Sequence, residues 1–262
     1  MATRFGTDGT DLIFGTEIDD FLYGYARGRK AFDIGADRID GGKGNDFIDG
    51  AGGNDILAGG EGDDRIYGGL GNDRIDGGKD QDRLFGEAGA DRIAGGEGHD
   101  LIDGGDGNDI LNGNDGDDIV RGGTGRDFLY GDDGDDRLDG GIGNDVLFGG
   151  EGTDVLLGGA GRDVLNGGIG QDFLRGGADA DTFVFRGQWD FDTIIDFQNG
   201  LDKIDLRGNG LTFADMNFEM VDADSDGNTD DLLIKSDIGA VGEIALLNTP
   251  MAQIGIEDFI FA

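Results

Sequence analysis

The chain has 262 residues, of which 57 are Gly and one is Pro, and its 57 acidic and 20 basic side chains give a formal charge of −37. A surface this acidic repels nucleic acids and anionic membranes, so the composition argues against both as partners. Because the chain has no Cys, it can form neither a disulfide framework nor a thiolate zinc site.

Charge and glycine content together make folding difficult. Like charges repel one another in a compact body, and glycine raises the entropy lost when the backbone is ordered. A disordered chain would have few aliphatic residues and no regular spacing, whereas 36% of these residues are hydrophobic and Leu and Ile recur at a fixed interval. The sequence therefore favours a folded chain whose charge is compensated by a cation.

Residues 1–40 are predicted to form degenerate coils of a repeat. GTDGTDLIF from Gly6 and GTEIDDFLY from Gly15 share a nine-residue frame, which resumes loosely at Phe32 after the insertion GYARGRKA. The first ten residues lack a charged segment followed by an apolar run, so we expect no cleavable signal peptide. No stretch of the chain is long and apolar enough to span a bilayer.

Residues 41–184 consist of sixteen nine-residue units in one register, such as GGKGNDFID and GGEGDDRIY. Position 1 is always Gly, position 6 is always Asp, and position 8 is always Leu, Ile, Val or Phe. The first six residues read as a turn and the last three as a short strand with one side chain inward. Two units would make one coil, with each turn stacked about 4.8 Å from the turn two units later. The pattern predicts an all-β fold of stacked coils, with a strand on each side of every coil.

The turns have the composition of a site for a hard cation. Gly at positions 1, 2 and 4 lets carbonyl oxygens converge, and Asp at position 6 adds an anionic oxygen. Six to eight oxygen ligands in a flexible arrangement suit Ca²⁺ better than Mg²⁺. Sixteen units form fourteen stacked pairs, so fourteen ions is the upper bound for this region. With only one inward apolar side chain per unit, we expect the roll to be largely unfolded without calcium.

The predicted calcium ligands are the aspartates at position 6 and the glycines at positions 2 and 4 of the most regular units. The aspartates are Asp46, Asp55, Asp64, Asp73, Asp82, Asp91, Asp100, Asp109, Asp118, Asp127, Asp136, Asp145, Asp154, Asp163, Asp172 and Asp181. The glycines are Gly42, Gly44, Gly60, Gly62, Gly69, Gly71, Gly96, Gly98, Gly105, Gly107, Gly123, Gly125, Gly141, Gly143, Gly150, Gly152, Gly159, Gly161, Gly168 and Gly170. Distorted or empty sites are expected where position 2 or 4 is not Gly, at Ala51, Asp80, Glu87, Asn114, Asp132 and Asp179.

The unit GGxGxD followed by x-aliphatic-x resembles the RTX (hemolysin-type) nonapeptide of secreted bacterial proteins. The resemblance covers well over half of the chain. It implies a calcium-loaded, right-handed parallel β-roll that folds after export into a calcium-rich exterior, and hence an extracellular protein.

Residues 185–262 lose the nine-residue rhythm and contain alternating apolar segments, including DTIIDF, DKIDL, DDLLIKS and GEIALL. They are predicted to form an antiparallel β cap over the end of the roll. The runs ADTFVF, DTIIDFQNGLDKIDL and DFIFA resemble the C-terminal domain of serralysin-type exoproteases. This resemblance implies an uncleaved C-terminal signal that is read by a type I secretion system.

The stretch DADSDGNTDD from Asp222 resembles part of a helix-loop-helix calcium loop, with Asp222, Asp224, Asp226, Gly227 and Asp230 suitably placed. Its position 12, however, is Leu233, where such a loop has a bidentate Glu. A hairpin turn between two strands is the favoured interpretation.

No catalytic residue and no cofactor other than Ca²⁺ is predicted. With His99 as the sole histidine, no HExxH motif can form, and neither Ser225 nor Ser236 lies in a G-x-S-x-G motif. The favoured hypothesis is a secreted, non-enzymatic calcium-binding module. One alternative is the exported C-terminal part of a metalloprotease, lipase or epimerase, and another is a calcium-dependent surface or adhesion spacer. The sequence does not identify a passenger domain or surface partner.

Overall fold

In a computed structural model, the structure describes residues 1–25, 27, 30, 34–187, 189–236 and 242–261. Within these residues the protein is built from β-strands, with three single 3₁₀ turns and no α-helix. None of the described segments is a helix capable of crossing a membrane. The chain divides into two compact units, Met1–Asp133 and Gly134–Ala262.

The first unit contains fourteen short strands among its described residues. They are β1 Thr3–Thr7, β2 Leu12–Thr16, β3 Phe21–Tyr25, β4 Arg38–Lys43, β5 Phe47–Asp49, β6 Ile56–Glu61, β7 Arg65–Leu70, β8 Arg74–Lys79, β9 Arg83–Ala88, β10 Arg92–Glu97, β11 Leu101–Asp106, β12 Ile110–Asp115, β13 Ile119–Thr124 and β14 Phe128–Asp133.

Alternate strands of the first unit pair in parallel, odd with odd and even with even, so that the chain winds between two sheets. Leu84 in β9 pairs with Ile66 in β7 and with Ile102 in β11, a step of eighteen residues on each side. Strands β1 to β3 join the same sheets, although their units are degenerate. The predicted parallel β-roll is confirmed. The insertion GYARGRKA and Phe32 lie largely outside the described residues.

The second unit contains twelve strands among its described residues. They are β15 Arg137–Ile142, β16 Val146–Glu151, β17 Val155–Ala160, β18 Val164–Ile169, β19 Phe173–Ala178, β20 Thr182–Val184, β21 Phe191–Ile194, β22 Lys203–Asp205, β23 Met216–Val221, β24 Asp231–Ser236, β25 Glu243–Leu246 and β26 Phe259–Ile260. The 3₁₀ turns are Phe213–Asp215, Met251–Gln253 and Ile256–Asp258.

The roll of the second unit continues beyond the last regular repeat. Strand β21 pairs in parallel with β19, and β25 in turn pairs in parallel with β21. On the other sheet, β22 and β26 extend β20 in parallel. The predicted antiparallel strands are found in β23, β24 and β25. The C-terminal set is therefore mixed, and the segments DTIIDF and DKIDL lengthen the roll instead of covering it.

The core of each unit is a row of position-8 side chains. Ile66, Leu84 and Leu111 in the first unit and Leu156 and Leu174 in the second have no exposed surface. Successive side chains of a strand point to opposite faces, so positions 7 and 9 lie on the outside. In β13, for example, Val120 is fully buried, whereas its neighbour Ile119 is 38% exposed. Each nine-residue unit thus adds one buried apolar side chain to the core of the roll.

Replacing an inward isoleucine is expected to destabilise the calcium-loaded protein far more than replacing an outward one. Ile102→Ala should lower the free energy of unfolding by about 2–5 kcal/mol, because it leaves a cavity in a closed row. Ile110→Ala, at a side chain that is 39% exposed, should change it by about 0.5 kcal/mol or less. Chemical denaturation compares the two variants, and equal losses would contradict the assigned inward face.

Candidate metal centre

The turns between strands have an unusual backbone. In the sixteen regular units, every residue at position 2 has a positive φ, such as 100° at Gly42 and 119° at Gly60. Position 4 shares this conformation in every unit except that of Gly143. A side chain would also find no room, since a Cβ added at Gly60 would lie 2.1 Å from the carbonyl oxygen of Gly42 in the preceding coil. Glycine here allows the turns to stack closely.

Six non-glycine residues adopt the same left-handed backbone conformation, with φ between 71° and 77°: Ala51, Asp80, Glu87, Asn114, Asp132 and Asp179. These are the positions where distortion was expected. Their φ values are lower than those of the positive-φ glycines at the same two positions, which lie between 96° and 156°, and a side chain adds strain in this region. Reduced occupancy at these turns stays a prediction.

Within each compact unit, the position-6 aspartates form a buried ladder along the stacked turns. All sixteen, from Asp46 to Asp181, are at most 3% exposed. One carboxylate oxygen, Oδ1, accepts a hydrogen bond from the backbone N–H of the equivalent aspartate one coil earlier. Asp64 N–H donates to Asp82 Oδ1 at 2.7 Å, and Asp82 N–H donates to Asp100 Oδ1 at 2.8 Å. Each carboxylate is thereby held in a fixed orientation.

The other carboxylate oxygen, Oδ2, is buried and lacks a hydrogen-bond partner within the described residues. This holds for Asp46, Asp64, Asp73, Asp82, Asp91, Asp100, Asp109, Asp154, Asp163, Asp172 and Asp181. A buried anionic oxygen without a partner is strongly unfavourable. Positive charge beside each of these oxygens would therefore stabilise the folded chain.

Backbone carbonyl groups approach these oxygens at the position-1 glycines. A point placed at the missing Cβ of Gly77 lies 2.3 Å from Asp82 Oδ2 and 2.6 Å from the carbonyl oxygen of Gly95 in the next coil. Gly59 shows the same arrangement between Asp64 Oδ2 and the carbonyl oxygen of Gly77. The carbonyl groups of position 1 were absent from the predicted ligand set, although the invariance of Gly at this position was the available signal.

The predicted glycines at positions 2 and 4 lie in the same turns as the aspartates. Their carbonyl groups point along the stack to the equivalent glycine of the next coil. The carbonyl oxygen of Gly44, for instance, lies 2.5 Å from the Cβ position of Gly62. The structure thus places Asp Oδ2 and a position-1 carbonyl oxygen of the next coil around one point, and positions 2 and 4 shape the rest of the loop.

The electrostatics of the ladder reflect burial and mutual repulsion. Burial, followed by the charges of Asp64 and Asp100, raises the pKa of Asp82 to about 8 against a lowering hydrogen bond from the Asp64 backbone. Burial likewise raises the pKa of Asp109 to about 7, with Asp91 and Asp127 adding to it. An oxygen-only, anionic donor set with carbonyl groups nearby fits Ca²⁺, which binds carboxylate and carbonyl oxygens in flexible geometry.

The ladder extends past the sixteen predicted aspartates. Asp172 N–H donates to Asp192 Oδ1, and Asp181 N–H donates to Asp202 Oδ1, each at 3.0 Å. Asp192 is 1% exposed, and burial raises its pKa to about 8. The repeat period did not predict either residue, because Asp192 and Asp202 follow their ladder partners by 20 and 21 residues instead of 18. An Asp directly before an apolar strand, as in DTII and DKID, was the signal that could have found them.

The acidic loop after β23 is a hairpin turn, as favoured from the sequence. Asp222, Asp224 and Asp231 bring carboxylate oxygens within 4.8 Å of one another. Buried Asp231, however, accepts hydrogen bonds from the backbone N–H groups of Ala223 and Asn248, at 2.7 and 2.8 Å. The cluster is thus explained by its role in holding the turn.

The sole histidine lies in an outer turn. His99 Nδ1 accepts a hydrogen bond of 2.7 Å from the backbone N–H of Asp117 in the next coil. Its side chain is 55% exposed and belongs to the same stacking pattern as the other position-5 residues.

Acidification is expected to stabilise the metal-free roll. Because the ladder carboxylates have raised pKa values, the folded state binds more protons than the unfolded state. Their contribution is fully present below the unfolded pKa near 3.8 and is lost as the pH rises through about 6 to 8. The β-sheet signal of chelator-stripped protein in circular dichroism should therefore increase as the pH falls from 8 to 5. A constant signal over this range would contradict the burial of these carboxylates.

A family model described as the RTX calcium-binding nonapeptide repeat matches most of the chain. The matched residues are 5–26, 33–66, 49–84, 58–93, 76–111, 85–120, 112–147 and 148–183. The C-terminal segment lies outside these matches, so its serralysin-like character stays a prediction. A search of curated protein sequences found no match.

Two solved structures resemble this chain. The crystal structure of the extracellular lipase LipA from Serratia marcescens is 20% identical over 76% of this chain, with a TM-score of 0.36. The chain spans 40% of the length of that lipase. The solution structure of the AlgE6R3 subunit from the Azotobacter vinelandii mannuronan C5-epimerase is 30% identical over 57% of this chain and 81% of its own, with a TM-score of 0.39. At these scores the likenesses carry no argument about function.

The repeat matches and the geometry of the turns agree. The family model covers residues 5–26 and, through overlapping matches, residues 33–183, which is well over half of the chain. These repeats are calcium-binding, and their number implies several Ca²⁺ ions. The chain belongs to the family of RTX calcium-binding nonapeptide repeats.

Proposed function

We propose that this protein is a secreted, non-catalytic calcium-binding β-roll that folds when it binds Ca²⁺ outside the cell. The observation that carries the proposal is the row of buried position-6 carboxylates. Eleven of them, Asp64, Asp82 and Asp154 included, have an Oδ2 atom without a hydrogen-bond partner among the described residues. Calcium bound between two stacked turns would supply the positive charge that these oxygens need.

Repulsion within the ladder explains why binding and folding are coupled. Two unit charges 4.8 Å apart repel by about 3 kcal/mol at an effective dielectric constant of about 20. Asp82 has such a neighbour in the coil on either side, Asp64 and Asp100. The repulsion therefore acts on both sides of each interior carboxylate, while the core adds only one apolar side chain per unit. A ligand that binds only the folded state stabilises it by mass action, and several ions multiply the effect.

The assignment of ligands follows the ladder. The predicted aspartates from Asp46 to Asp181 would each offer Oδ2, and the position-1 glycine of the next coil would offer its carbonyl oxygen. Asp192 would extend one row beyond the regular repeats, whereas Asp202 Oδ2 already accepts a hydrogen bond from the Gln198 N–H at 2.7 Å and would continue the ladder without offering a free oxygen. Glycines at positions 2 and 4 would keep the loop open around the ion. We retain the division into degenerate coils 1–40, a regular calcium-binding roll 41–184 and a C-terminal segment 185–262.

Export is the second part of the proposal. The acidic repeats suit a compartment where calcium is abundant, and the C-terminal segment resembles that of proteins carrying a type I secretion signal. We propose that residues 185–262 serve both as this signal region and as the end of the roll. Strands β25 and β26 support the latter role, because each pairs in parallel with a strand of the roll.

Removal of calcium is expected to unfold the repeats. Far-UV circular dichroism in EDTA should lose most of the β-sheet signal seen in millimolar calcium, since the carboxylates again repel without compensation. Magnesium at the same concentration is the control, and it should restore little of the signal. Spectra that coincide in EDTA and in calcium would refute the coupling of folding to calcium.

Neutralising one ladder carboxylate is expected to weaken calcium binding at its turn. Asp109→Asn removes a fully buried charge, so native mass spectrometry should count one ion fewer, and the calcium midpoint for folding should rise several-fold. Asp103→Asn is the matched control, because Asp103 lies at the outward position 9 of β11. If both variants retain the full number of ions, Asp109 is not a ligand.

A further inference from the structure

The two N-terminal turns, residues 6–11 and 15–20, are built differently from the turns that follow. Each carries Thr at position 2, Thr7 in the first and Thr16 in the second, where the regular units have Gly or another residue at positive φ. Thr7, Gly9, Thr16 and Ile18 are all described, and none of them lies in the left-handed region. The backbone of these turns thus lacks the conformation that opens the loop in the regular units.

In the first turn, the hydroxyl group of the exposed Thr7 lies beside the carboxylate of Asp11, which is partly buried. The hydroxyl group donates a hydrogen bond to Asp11 Oδ2 at 2.9 Å and accepts one from the backbone N–H of Gly9 at 3.3 Å. The Thr7 N–H also donates to Asp11 Oδ2 at 2.5 Å. Asp11 Oδ2 and the Gly24 carbonyl oxygen still approach the Cβ position of Gly6, at 2.6 and 2.3 Å. The oxygens that would meet an ion are therefore present, but the carboxylate already has two donors.

The second turn has the same contact between a threonine hydroxyl group and an aspartate carboxylate. Thr16 Oγ1 lies 2.8 Å from Asp20 Oδ2, and the Ala2 N–H donates to Asp20 Oδ1. Asp20 is 1% exposed, as buried as the aspartates of the ladder. At Gly15 the carbonyl oxygen of Gly41 comes within 1.7 Å of the Cβ position, and Asp20 is not among its nearest neighbours. In this turn a hydroxyl group donates to the aspartate Oδ2, the atom that lacks a donor in the regular turns described above.

We propose that Thr7 and Thr16 determine where the calcium row begins, their hydroxyl groups taking the place of an ion in the first two turns. The inference rests on the proposed function, because it assigns which turns of the roll go without calcium. Asp11 precedes the edge strand β2, and Asp20 precedes β3, whose outer neighbour β1 follows Ala2 and not an aspartate. Each of these two carboxylates therefore has a ladder neighbour on one side only. A hydroxyl donor suffices there, since the repulsion from the row is about half that inside it.

The test removes the Thr7 hydroxyl group from the first turn and counts the calcium ions that the chain binds. Thr7→Gly converts GTDGTD into GGDGTD, which has Gly at positions 1, 2 and 4 and Asp at position 6. We expect native mass spectrometry of the calcium-loaded full chain to show one ion more than in the unaltered protein. Thr7→Ala also removes the hydroxyl donor, and Ala51 shows that alanine adopts a positive φ at position 2. This variant should gain an ion that binds more weakly than in Thr7→Gly, because its position 2 is not Gly. Two variants guard against a folding defect in one of them, which circular dichroism would reveal.

Thr10→Gly is the matched control. It makes the same change at position 5 of the same turn, which leaves the Thr7 hydroxyl in place, so the ion count should stay unchanged. If Thr7→Gly and Thr7→Ala both bind the same number of ions as the unaltered chain, the inference is overturned. An unaltered chain that retains no calcium would instead overturn the proposed function, so the two failures are distinguishable.

Discussion

The structure depends on one constraint, the burial of a carboxylate in each turn. This carboxylate is fixed by one hydrogen bond and stacks on the equivalent carboxylate of the next coil. Asp82 illustrates it, with Oδ1 bonded to the Asp64 backbone, Oδ2 without a donor, and like charges in the coils on either side. Such a row cannot be compact and ionised unless positive charge enters it. The high glycine content and the large negative charge of the chain both follow from this arrangement.

The geometry of the turns serves the same constraint. Glycine at most of positions 2 and 4 leaves the space between coils free of side chains, and carbonyl groups there point along the stack. The strands contribute little more than spacing and one inward side chain, as Val120 and Ile119 illustrate. With calcium bound as proposed, the turns add to the stability supplied by the inward row, whereas in most β-proteins stability lies in the core between sheets.

Much of the fold could be predicted because the period of nine fixes which residue is inside, which is in the turn and which unit it stacks upon. The same rule failed where the period changed. Asp192 and Asp202 join the ladder at steps of 20 and 21 residues, since loops of different length can return the chain to the same stacking position. Parallel pairing of β21, β22, β25 and β26 was hidden for the same reason, because alternation of apolar residues does not reveal strand direction. The hydrogen-bonding role of Thr7 depends on atoms of its own turn, which the repeat pattern does not describe.

Diffraction from crystals grown in calcium tests the central claim most directly, with anomalous scattering used to locate the ions. The account predicts anomalous peaks in the turns of the regular repeat, each within about 2.3 to 2.6 Å of an Asp Oδ2 and of a glycine carbonyl oxygen. Turns that contain only water at saturating calcium, with the roll folded, would show that the buried carboxylates are compensated in another way and would contradict it.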